Sequence, residues 1–109
     1  MIMPKTGDIV HINMALVFPR SAYEYDAIVL WNSFNNQPLL TKVGEYRPFW
    51  ASYEEIEKVI GHIDIDVALN GAIPVSWVEG LMLYGDPDVS KAAWRVLKVW
   101  KGERNGNID

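Results

Sequence analysis

The stretch Val89-Ser90-Lys91-Ala92-Ala93-Trp94-Arg95-Val96-Leu97-Lys98-Val99-Trp100 decides the fold, because two periodicities compete in it. At 3.6 residues per turn, Val89, Ala92, Ala93, Val96, Leu97 and Trp100 fall at i, i+3, i+4, i+7, i+8 and i+11 and form one apolar stripe. As a strand, the same residues mix Arg95 with Leu97 and Val99 on one face, and Lys98 with Trp94 and Trp100 on the other. The valines and tryptophans suit a strand by type. The spacing predicts a helix. Its polar face gathers Lys91, Trp94, Arg95, Lys98 and Lys101.

Immediately upstream, Asp86-Pro87-Asp88 offers a cap and an early proline. Ser76-Trp77-Val78-Glu79 has the capping-box pattern and predicts a short helix closed by Gly85. Further back, His62–Leu69 alternates and predicts a strand, with Asn70-Gly71 as its turn. Ser52-Tyr53-Glu54-Glu55 repeats the capping box. Tyr53, Ile56, Val59 and Ile60 follow at helical spacing, and Gly61 can end that helix.

The N-terminal half reads as strands. From Asp8 to Phe18, Val10, Ile12, Met14, Leu16 and Phe18 alternate strictly, and Pro19 stops the run. Tyr25–Trp31 is rich in aromatic and β-branched types, Asn35-Asn36-Gln37-Pro38 is a turn, and Leu39–Val43 is a third strand. The expected fold is one α+β domain without a linker, an antiparallel sheet of about four strands packed by two or three helices. Its expected core holds Val10, Ile12, Met14, Leu16, Ile28, Leu30, Ile56, Ile60, Val89, Ala93, Val96, Leu97 and Trp100.

With 109 residues, half of them apolar, the chain can bury roughly two-thirds of its unfolded surface in a single core. It has no cysteine, which excludes a disulfide scaffold, a thiolate metal site and a cysteine nucleophile. The longest uncharged stretch, Ala27–Thr41, contains Asn32, Asn35, Asn36 and Pro38, so a membrane span is not expected. Without a signal-like N-terminus, the cytoplasm is the expected location. The net charge of −4 argues against a general nucleic-acid coat. The charge is uneven: residues 89–104 carry five basic side chains against Glu103.

That basic helix supports a nucleic-acid reading. Ile73-Pro74-Val75-Ser76, the helix ending Tyr84-Gly85, and Val89-Ser90-Lys91-Ala92-Ala93 together resemble the helix-turn-helix of winged-helix repressors of the GntR type. The resemblance covers roughly 30 residues. It implies Ser90, Lys91 and Arg95 at a DNA groove, Lys98 near phosphate, and an aromatic, Trp94, able to stack. The sequence departs from that pattern by inserting Asp86-Pro87-Asp88 in the turn and by placing Gly80 inside the first helix. The alternative is a solvated outer face whose cations complement the helix dipole.

On a strand, His62, Asp64 and Asp66 would share one face, and two such carboxylates can hold Mg²⁺. Asp64-Ile65-Asp66-Val67 resembles the Asp-x-Asp strand of minimal nucleotidyltransferases, without that family's Gly-Ser pair upstream. A solvated strand face is the alternative, and no metal or other cofactor is assigned. His11 reads as a hydrogen-bonded surface histidine. Thr6-Gly7 before Asp8-Ile9-Val10 resembles the opening of SH3-like barrels and bears on fold only. No phosphate loop, nucleophile elbow or complete acid–base set occurs.

Finally, Tyr46, Arg47, Phe49 and Trp50 crowd one loop. Arg with Trp and Tyr is the composition of interface hot spots. Pro48-Phe49-Trp50 could instead fold back as a plug over one end of the sheet, covering core. The sequence therefore points to a non-enzymatic binding protein acting through protein contacts or self-association. A DNA-binding regulator using residues 73–101 is the alternative, and a small-ligand protein or enzyme with an aromatic pocket is the third reading.

Overall fold

A computed structural model describes residues 2–32, 37–45, 47–72 and 75–105, with the backbone alone at 71–72 and 101–105. Among the described residues it is an α+β domain with five strands and three α-helices: β1 (Asp8–Asn13), β2 (Glu24–Asn32), β3 (Pro38–Lys42), β4 (Phe49–Trp50), β5 (Ile56–His62), α1 (Ile65–Ala72), α2 (Val75–Tyr84) and α3 (Pro87–Asn105). The sheet order is β4-β3-β2-β1-β5, and every neighbouring pair is antiparallel. β4 and β5 lie at its two edges.

Alternation along the central strands builds a core on each side of the sheet. Leu30 and Leu39 point to one side, where Leu69 of α1, Val78 and Leu81 of α2, and Val89, Ala93 and Leu97 of α3 cover them. Val10, Ile12, Val29 and Leu40 point to the other, where Ala51, Tyr53 and Ile56 cover them and Phe49 packs alongside. The stripe on α3 is buried from Val89 to Leu97, with Trp100 partly buried, so the helical periodicity is the one realised.

α3 starts where Asp86 caps it. Asp86 Oδ1 accepts from Val89 N at 2.9 Å, and Thr6 Oγ1 donates to Asp86 Oδ2 at 2.9 Å. The segment that interrupts the helix-turn-helix pattern is thus a helix cap tied to the N-terminal turn. That turn needs Gly7, whose φ is +94°. Gly7 N donates to Val29 O, and Gly7 O accepts from Ile63 N, both at 2.8 Å. A Cβ there would lie 2.5 Å from Ile63 O.

Three expectations are corrected. The first strand ends at Asn13, where the Asn13 carboxamide accepts from Ala15 N at 3.0 Å and turns the chain into a 3-10 helix, Met14–Leu16. Leu16 and Phe18 consequently lie exposed rather than in the core, and Met14 packs at its margin. The helix expected from Tyr53 to Ile60 is one 3-10 turn, Tyr53–Glu55, followed by β5. Ser52 does cap it, accepting from Glu54 N at 3.2 Å. Beyond that turn, β-branched Ile56 and Val59 pair with Ile12 and Val10, and sheet pairing overrides the helical spacing. Val59 and Ile60 are 44% and 46% exposed, so they form no buried helix stripe.

The strand expected over His62–Leu69 is instead α1, and the Asn70-Gly71 turn lies within it. Its start is dictated by Asp64, whose Oδ1 accepts from Asp66 N at 3.0 Å. Burial of Ala68 and Leu69 with exposure of Val67 follows helical, not alternating, periodicity. The Asn70 carboxamide accepts from Trp100 Nε1 at 2.6 Å and so ties α1 to α3. The expected turn residues 35 and 36 lie outside the described residues.

Candidate functional site

On α3, Trp94 lies off the buried stripe of Val89, Ala92, Ala93, Val96 and Leu97 and is 54% exposed. It stands between two neighbouring hollows of about 380 Å³ each. Met82 of α2 and Trp94 line both. Ser90, Lys91 and Arg95 complete one, and Leu97 and Lys98 complete the other. Ser90 Oγ donates to Met82 O at 2.6 Å, which pins the end of α2 against the first turn of α3. The Lys98 ammonium lies 5.0 Å from the Trp94 ring centroid, within cation–π range.

Arg95 is engaged elsewhere. Its Nε and Nη2 donate to the two carboxylate oxygens of Asp66, at 2.8 and 2.7 Å. The Arg95 guanidinium holds the Asp66 carboxyl below its ordinary value, and Asp66 raises Arg95 in turn. The bidentate fork joins α1 to α3 and occupies two of the five guanidinium N–H donors. Lys91 and Lys98 remain as the cations flanking Trp94.

Of the helix residues singled out from sequence, the fold brings Ser90, Lys91, Trp94 and Arg95 around one hollow and Lys98 beside the next. The Lys101 side chain lies outside the described residues. Asp64 and Asp66 share no strand face. One caps α1 and the other holds Arg95.

The loop set divides. Tyr46 lies outside the described residues, and Arg47 is exposed. Phe49 packs against the second core with its ring 6.0 Å from that of Tyr25. Trp50 is exposed on the edge strand β4, its ring 5.5 Å from that of Trp31. Phe49 therefore acts as the plug, while Arg47 and Trp50 stay accessible.

Two features escaped the reading of the sequence. Met82 sits in the middle of an apolar helix run and gives no local sign that it borders a groove. His11 gathers three carboxylates only through strand register. His11 faces Asp26 across the β1–β2 pair and Lys58 across the β1–β5 pair, which brings Glu24 and Glu57 alongside. His11 Nδ1 lies 2.8 Å from Asp26 Oδ1, and Nε2 lies 2.9 Å from Glu24 Oε1 and 3.8 Å from Glu57 Oε2. Hydrogen bonding to Asp26, then to Glu24, raises the imidazole pKa above 6.5. Among the described residues no helix is long and apolar enough to cross a membrane. Neither protein-family models, nor curated proteins, nor solved structures give a match to this chain.

Proposed function

We propose that this chain is a non-enzymatic protein-binding module whose contact surface is the α2–α3 groove around Trp94. The observation that carries the reading is a tryptophan more than half exposed, with a hollow on either side, Met82 at its foot and Lys91 and Lys98 flanking it. An indole in that position packs no core. It offers a large apolar area with few rotamers to freeze, which is why tryptophan dominates interface energetics. Met82 adds an adaptable apolar wall. The two ammonium groups select a partner segment with an apolar anchor and acidic neighbours. The acidic balance of the chain outside residues 89–104 makes a second copy one such partner.

Arg95, spent on Asp66, gives the DNA reading less support than the sequence did. The test begins with sedimentation of purified wild type and Trp94→Ala over a range of concentrations. Affinity capture with both proteins, and titration of each purified captured species, follows. Trp94→Ala should weaken the contact at least about tenfold without loss of helix content, and Lys91→Ala/Lys98→Ala should weaken it less. No change in self-association or in any titrated contact overturns the proposal. Binding to a random-sequence duplex with a steep salt slope, lost in Lys91→Ala/Lys98→Ala, would put nucleic acid in its place.

A further inference from the structure

We propose that His11, Glu24 and Glu57 form a binding site for a divalent transition-metal ion, zinc first among them. The three residues come from β1, β2 and β5 and meet on the face of the sheet opposite Val10 and Ile12. One ligand atom from each lies within 4.8 Å of the others.

The distances fit an ion. Zinc bonds of about 2.0–2.1 Å in a tetrahedron hold donor atoms about 3.4 Å apart. The two separations from His11 Nε2, 2.9 Å to Glu24 and 3.8 Å to Glu57, straddle that value. Small rotations of two half-exposed glutamates close the set.

The fourth residue supplies the support such a histidine needs. Asp26 lies 2.8 Å from Nδ1, so it accepts the Nδ1 hydrogen and turns the Nε2 lone pair towards the two glutamates. With that tautomer, Nε2 and a glutamate oxygen face each other at 2.9 Å with lone pair against lone pair. A proton or a metal ion must lie between them. A proton gives one imidazolium among three carboxylates, which leaves the cluster at −2. Among the described residues no lysine or arginine forms an ion pair with Glu24, Asp26 or Glu57. A divalent ion beside a neutral imidazole halves that charge to −1 and satisfies all three donors.

One imidazole with two carboxylates suits zinc or a neighbouring transition metal better than magnesium, which favours an all-oxygen shell. Three protein ligands leave one tetrahedral position for water or for a donor from another molecule. His62 provides the internal contrast, since it is exposed and has one carboxylate, Asp8, at 2.8 Å.

The test is calorimetric titration of the chelator-treated full chain with zinc near neutral pH. One ion should bind per chain. His11→Gln and Glu57→Gln should each weaken binding more than tenfold. Asp26→Asn should weaken it about tenfold by releasing the imidazole, and His62→Gln should not change it. Absence of binding at millimolar zinc overturns the site, as does undiminished binding in His11→Gln or equal affinity for magnesium. Should the variants fail to fold, nitrogen-15 spectra of the wild-type imidazoles decide. Zinc must shift Nε2 of His11, and a shift confined to His62 overturns the proposal.

Discussion

The two sides of the sheet bury similar residues by different means. On one side, three helices cover Leu30 and Leu39. On the other, the sheet covers Val10, Ile12, Val29 and Leu40 with its own returning strand, a 3-10 turn and Phe49. The helical cover is encoded locally, as a stripe that repeats every three or four residues. The self-cover is encoded only in pairing between distant segments, such as Ile12 with Ile56. The difference teaches why one half of the chain reads easily and the other half misleads.

The largest effect should come from emptying either side. Leu30→Ala and Leu40→Ala each remove a fully buried side chain and should each cost about 2–5 kcal/mol in urea unfolding. Both should show one transition by circular dichroism and by tryptophan fluorescence. Loss of sheet signal before helix signal would break the picture of two cores sharing one cooperative unit.

Gly7→Ala comes next, because Gly7 joins the two sides through Val29 and Ile63. Its positive φ and the close carbonyl predict a loss of more than about 1 kcal/mol, measured in the same way. A neutral substitution would mean that the turn is not fixed.

Asp66→Asn should lower the melting temperature slightly at neutral pH, and less at high salt, since the pair with Arg95 is partly exposed. The folded Asp66 carboxyl titrates below its ordinary 3.8. Its contribution is therefore fully present above 3.8 and lost as the pH falls through the lower folded value. The wild type and Asp66→Asn should accordingly converge in acid. A difference that persists there would locate the effect in packing.

The smallest effect should be that of Ile60→Thr. On a buried helix stripe such a change would be costly. On the exposed edge strand β5 it should stay within about 0.5 kcal/mol by denaturant midpoint. A loss of several times that would restore the helix reading of residues 53–60.

These contrasts bear on how much the sequence discloses. α3 is legible because capping, spacing and burial agree from Asp86 to Trp100. β2 and β3 are legible because their aromatic and branched runs are bounded by turn residues. Residues 53–72 are not, because helix-like spacing at Ile56, Val59 and Ile60 and strand-like alternation at Ile63, Ile65 and Val67 are both accidental. Only the pairing with β1 and the Asp64 cap decide them. Trp94, Lys91 and Lys98 were visible as one helix face, but the diversion of Arg95 to Asp66 needed α1 in place. The carboxylates around His11 lie 13, 15 and 46 residues away in sequence, and strand register alone brings them together.

The late position of α3 has a consequence for synthesis. Leu30 and Leu39 leave the ribosome early, yet the last of the three helices that shelter them follows Asp86, and the bond from Thr6 to Asp86 spans 80 positions. Until that stretch emerges, the growing chain has all five strands but keeps one oily face only partly sheltered. The interval is a matter of seconds, about three to twelve at translation rates of roughly 5–20 residues per second. In that window, any companion able to shield an apolar strand has its longest access to this protein.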